Sequence, residues 1–172
     1  MDIIRFIHVL ILNFFLKSKK SEKKERNPIS LQKAKKIGIL FNAENIVANE
    51  KILLFAQKLK SGLREVQLLG YIPKREFGYV YHFPFITNKD TNWYGKPGGR
   101  NISHIINSRF ELIINFSTKE CIPFEYLIAN TPSKFRVGFN PDSNISNYDL
   151  ILITKENGDI TRQIKNLEEY LK

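Results

Sequence analysis

The sequence predicts a Rossmann-like three-layer α/β sandwich with a mostly parallel sheet of about five strands. Three observations predict it. Short apolar runs alternate with segments of helical period from residue 35 onward, the pattern of a sheet covered on both faces. The runs "ELIIN" and "LILIT" lack polar alternation, as strands buried on both sides do. The chain closes on "DITRQIKNLEEYLK", in which Ile160, Ile164, Leu167 and Leu171 share one helical face.

The elements follow in order. "KKIGILF" (35–41) is an apolar run of strand length. In "NAENIVANEKILLFAQKLK" (42–60) the period changes, with Ile46, Val47, Ile52, Leu53, Phe55, Ala56 and Leu59 at helical spacing. Asn42 is suited to cap that helix and Gly62 to stop it. "REVQLLGYI" (64–72) reads as a strand, and "YVYHFPFI" (79–86) as another that Pro84 pushes to an edge. In the latter, Tyr79, Tyr81 and Phe83 share one face and read as a core-facing stripe. A short helix is expected over 101–108, a strand over 110–117, and a helix over 121–130 with Pro123 in its first turn. Strands over 134–140 and 148–154 precede the last helix at 159–172. Two parts result: residues 1–29, an apolar helix and lysine-rich linker, and residues 30–172, the α/β domain.

Net charge is +10, but it is unevenly placed. Residues 1–36 hold ten bases and three acids, so they carry +7, and the rest of the chain carries +3. Nucleic-acid binding by general basicity of the folded domain is therefore not favoured. One cysteine, Cys121, permits no internal disulfide, and three scattered histidines (His8, His82, His104) lack zinc-ligand spacing. No metal and no cofactor is expected. Cys121 opens a helix, where a thiol pKa can fall, but a structural role is the expected one.

"IIRFIHVLILNFFL" (3–16) is almost wholly apolar, and "KSKKSEKKER" follows at once. As a helix the first stretch spans about 21 Å, short of the roughly 30 Å hydrocarbon core. The charge follows the apolar run, which argues against a cleaved signal. Asp2, Arg5, His8 and Asn13 fall on one side of the helix. That arrangement suits a helix lying in an anionic membrane interface, or one packed on a protein partner. The contacts are expected from Phe6, Leu10, Phe14 and Phe15 and from Lys17, Lys19, Lys20, Lys23 and Lys24. A single cysteine is compatible with a reducing compartment. The expected location is the cytoplasm, at the inner face of the membrane where the segment meets lipid.

A family resemblance rests on three groups of residues. They are Lys89, Asp90, Trp93, Gly95 and Lys96; Phe110 to Asn115; and Lys134 to Gly138. In these the chain resembles an uncharacterised bacterial family known as a domain of unknown function. The resemblance covers most of residues 30–172 and implies a Rossmann-like fold and no catalytic residues. The N-terminus of that family is a basic amphipathic helix, whereas this one is far more apolar. The strand, helix and "KFRVGF" succession is also similar to the N-terminal half of heptosyltransferase-type glycosyltransferases. Those enzymes need a second Rossmann-like domain, for which this chain has no room.

"NWYGKPGGRN" (92–101) invites a test for phosphate binding. A Walker loop needs a four-residue spacer and a Ser or Thr after the Lys, whereas Lys96 is followed by Pro97. A dinucleotide fingerprint needs glycines after the first strand, where "NAENIVANE" has none. The remaining candidates for a ligand are Trp93, Tyr94, Lys96, Gly98, Gly99 and Arg100 in this loop, with Asn42 and Asn115 at strand ends. Glu44, Ser117, Thr118, Asn140 and Asp142 stand at the same kind of position, where α/β folds place ligands and where capping residues also gather. Trp93 is expected to fold back over a sheet edge.

These features lean away from an enzyme. They favour a binding or adaptor domain held by its N-terminal segment at a membrane surface or a larger assembly. The alternatives are a small-ligand-binding or glycosyltransferase-like half domain, and an RNA- or ribonucleoprotein-associated protein using the basic run.

Overall fold

The computed structural model describes residues 28–74, 78, 80–142, 145–153 and 159–172. The apolar helix expected over 3–16 and the lysines after it lie outside the described residues, as does Tyr79. Among the described residues, no helix is long and apolar enough to cross a membrane.

β1 (Lys36–Asn42) is buried at its five central positions. α1 (Ile46–Ser61) follows and ends at Gly62. Its cap is Asn45, whose Oδ1 accepts from Ala48 N at 3.1 Å. Asn42 does not cap it, because Asn42 is still paired in the strand, opposite Tyr71 of β2 (Glu65–Tyr71). β3 is only Phe85–Ile86, far shorter than the expected 79–86. Pro84 has no N–H to extend the ladder, and it serves only as acceptor for Gly70 N. Phe83 is nonetheless buried, its ring 4.9 Å from that of Phe41, and Tyr81 packs beside it.

α2 (Arg100–Asn107), β4 (Phe110–Asn115), α3 (Ile122–Asn130) and β5 (Ser133–Gly138) match their expected places, with Pro123 in the first turn of α3. β6 is Leu150–Ile151, again shorter than expected, and α4 (Ile160–Tyr170) closes the fold.

The six strands form one sheet in the order β3-β2-β1-β4-β5-β6, and every pairing is parallel. That is the strand order of the doubly wound dinucleotide-binding fold. α1 and α4 cover one face, over Ile37, Ile39, Phe41 and Ile114. α2 and α3 cover the other, over Leu40, Leu69, Phe110 and Ile113. Strand order reverses between β1 and β4, so the chain leaves these neighbours in opposite directions. A crevice opens at such a reversal, above the C-terminal ends of the strands.

Candidate functional site

The strand ends at the β1–β4 reversal, the crest of the sheet, carry polar, uncharged side chains. Asn42 lies opposite Tyr71, Leu40 opposite Asn115, and Asn115 opposite Gly138. Continuing those registers by two residues brings Asn42, Ser117 and Asn140 into one row across β1, β4 and β5. The stacked rings of Phe116 and Phe139, 5.2 Å apart, keep the same register one residue earlier. Asn42 Oδ1, Ser117 Oγ and Asn140 Nδ2 are buried and have no hydrogen-bond partner among the described residues. Buried polar atoms are nearly always paired, so three orphans in one row are an exception.

Asn115 belongs to a different arrangement. Its Oδ1 accepts from Ser117 N at 3.1 Å, and its Nδ2 donates to the Tyr148 hydroxyl at 2.9 Å. Tyr148 donates in turn to Glu125 Oε1 at 2.8 Å, and Asn147 Nδ2 donates to Glu125 Oε2 at 2.9 Å. All four side chains are buried. Asn115 is thus a fastener between β4 and the segment before β6, with its amide committed at both ends. Arg136 is buried nearby on β5, where its guanidinium donates to Ser133 Oγ and to the carbonyls of Thr131 and Asn147. Sequence reasoning missed Glu125, Arg136, Asn147 and Tyr148. The available signals were a carboxylate inside the apolar helix "IPFEYLIAN" and an arginine inside the apolar strand "KFRVG".

Cys121 precedes α3 and is buried. Burial pushes its thiol far above the ordinary range, and the carboxylates of Glu125, Glu120 and Glu44 add to the effect. It stays protonated at neutral pH and is no nucleophile. Burial also raises the Tyr71 hydroxyl, which donates to Asn88 Oδ1 at 2.5 Å. Among the described residues, no group of His, Cys, Asp and Glu is placed to hold a metal ion.

The loop at 91–97 is a braced turn. Thr91 and Pro97 form an antiparallel bridge. Asn92 N donates to Lys96 O at 3.0 Å, and Asn92 Oδ1 accepts from Lys96 N at 2.9 Å. Gly95 takes φ +87° and lies so close to Ile122 that an added Cβ would collide with it. Lys96 Nζ sits 5.7 Å from the Tyr126 ring centroid. The turn is therefore pinned to α3 beside the crest. At its tip Trp93 is 67% exposed, with Tyr94 edge-to-face at 5.1 Å. Trp93 does not fold back over a sheet edge, because the brace holds it outward. Lys96, Trp93 and Tyr94 are together in this turn. Gly98 N donates to Asp90 O at 2.9 Å and closes it. Gly99 precedes α2 with φ +96° and no side-chain cap, and Arg100 is exposed at the first position of that helix. Gly99 and Arg100 open a shallow depression of about 870 Å³ along α2, lined also by Lys36, Ser103, His104 and Arg109. The candidate residues thus divide among three places: the turn, the α2 depression, and the strand crest with Asn42 and Asn115.

A sequence family matches residues 9–172. The chain belongs to DUF6913, a family of unknown function. The DUF6913 match takes in the lysine run as well as the whole α/β domain. No curated protein matches the chain. DUF6913 membership brings no reaction to the crest, and the similarity to heptosyltransferases gains nothing from it.

Proposed function

We propose that this DUF6913 chain is a non-enzymatic binding or adaptor module. Its N-terminal segment, residues 1–26, tethers it to an anionic membrane surface at the inner face of the membrane, or to a larger assembly. Its turn at 91–97 takes a protein partner. The observation that carries the reading is Trp93, exposed at the tip of a turn that backbone and side-chain hydrogen bonds hold rigid. An exposed tryptophan beside a basic residue is the kind of side chain that dominates protein contacts. A turn that is already ordered loses little entropy on binding. The polar groups of Asn115, Tyr148 and Glu125 are committed to one another, and the Cys121 thiol is held protonated, so the crest offers no activated nucleophile.

Two measurements on tagged full-length protein test this. Trp93→Ala should reduce recovery of co-purifying protein at least about tenfold, the scale of a hot-spot residue, without changing the melting temperature. Removal of residues 1–26 should abolish sedimentation with membranes or with the assembly. Undiminished partner recovery by Trp93→Ala would sink the assignment of the turn.

The orphaned atoms of Asn42, Ser117 and Asn140 favour one second reading, a small neutral ligand rich in hydroxyl or amide groups at the crest. Ser117→Ala is then expected to raise or leave unchanged the melting temperature of the ligand-free protein, because an unpaired buried hydroxyl costs stability. The same change should abolish any thermal shift produced by simple polyols or nucleosides. A thermal shift that survives in Ser117→Ala would place the ligand elsewhere.

A further inference from the structure

We infer that the N-terminal edge of the sheet is a docking face for an anionic lipid bilayer, separate from the tether and aligned with it. The inference rests on the membrane form of the reading above. Four bases on this edge, Lys33, Lys35, Lys60 and Arg109, are exposed, and none makes an ion pair with a described residue. The acids there are already neutralised: Glu65 by Lys36, Glu111 by Lys134, and Glu168 by Lys58. The charge left over is positive.

Two apolar side chains stand among these bases. Leu63 is 98% exposed in the turn between α1 and β2, and Tyr170 is 69% exposed at the end of α4. Leu63 also takes φ +61°, a conformation that residues with a Cβ rarely adopt. Strain of this kind persists where the surrounding structure imposes it, here through Leu63 N donating to Lys60 O at 3.0 Å. A leucine and a tyrosine ringed by lysine and arginine match the interface of a bilayer, where apolar groups enter and bases meet headgroups. Leucine offers nothing to a phosphodiester chain, which favours lipid over RNA.

The tether joins the domain at the same edge. Leu31 N donates to Leu171 O at 2.8 Å, which fixes the chain beside the end of α4 just before it enters β1. The opposite edge mixes exposed acids (Glu44, Glu120, Asp142) with exposed bases (Lys89, Lys96, Arg100, Lys119), so it carries no comparable surplus of positive charge. The domain would therefore stand edge-down, with the turn bearing Trp93 directed away from the bilayer.

The test uses full-length protein and phosphatidylcholine vesicles with and without phosphatidylglycerol. Lys33→Glu, Lys60→Glu and Arg109→Glu combined should weaken binding to the anionic vesicles at least about tenfold, and should flatten its salt dependence. Lys119→Glu on the opposite edge should leave binding unchanged. Melting curves check that both variants fold. Brominated lipids then report orientation. Trp93 fluorescence should escape quenching, whereas Leu63→Trp in a Trp93→Phe background should be strongly quenched. Wild-type binding that ignores the triple change, or quenching of Trp93 equal to that of the Leu63→Trp variant, overturns the inference and leaves the tether standing. Failure of the wild type to bind anionic vesicles at all overturns both. Binding of an RNA hairpin that depends on the three bases, with no vesicle binding, assigns the edge to nucleic acid instead.

Discussion

Tyr148 is the hinge of the buried polar network, accepting from Asn115 and donating to Glu125. Tyr148→Phe removes both bonds and strands the Asn115 amide in a dry site. Urea denaturation should show a loss of about 1–3 kcal/mol, the cost of an unpaired buried group. Glu111 gives a pH-dependent counterpart at the rim. The Lys134 ammonium and then the Lys35 backbone N–H hold its carboxylate below the ordinary 4.5. A carboxylate lowered on folding stabilises the native state above its unfolded value, and that contribution is lost as pH falls through the folded value. Glu111→Gln should therefore flatten part of the acid limb of stability below about pH 4.5 while changing little of its shape near neutrality. Neither role can be seen in a single sequence. Asn115 is visible as a polar residue ending an apolar strand, but its partner Tyr148 lies 33 residues away.

Caps and strand ends separate what is local from what is not. The helical period of 46–59 places α1 within a residue or two, yet its cap is Asn45 rather than Asn42. Both are good capping residues, and only the pairing of Asn42 with Tyr71 decides between them. Asn45→Ala should cost about 1 kcal/mol in chemical denaturation. β3 and β6 are two residues each because only the last two residues of β2 and of β5 meet an edge partner, and at β3 Pro84 has no N–H to lengthen the ladder. No apolar run of their own could announce that. The turn at 91–97 was visible as a cluster of Gly, Lys and aromatic residues. Its rigidity was not, since it comes from the Thr91–Pro97 bridge and the contact of Gly95 with Ile122.

The sheet divides the molecule into two apolar layers that do not share side chains. Ile52→Val on the α1 side and Ile128→Val on the α3 side should each cost about 0.5–1.5 kcal/mol. Distant sites with no common partner add, so the double variant should match the sum to within about 0.5 kcal/mol in urea midpoints. A larger discrepancy would mean that the layers communicate through the strands. The sequence by itself determined the class of fold, the succession of elements, the apolar faces and the surplus of charge before residue 37. These follow from periodicity and composition, which act over a few residues. Tertiary structure alone decided the order 3-2-1-4-5-6 and the burial of Asn115 with Tyr148 and Glu125. It also decided that Trp93 is exposed at the tip of its turn, and that Lys33, Lys35, Lys60 and Arg109, far apart in the chain, share the N-terminal edge of the sheet. Each of those depends on crossovers between segments far apart in the chain, and a crossover leaves no mark in the local pattern.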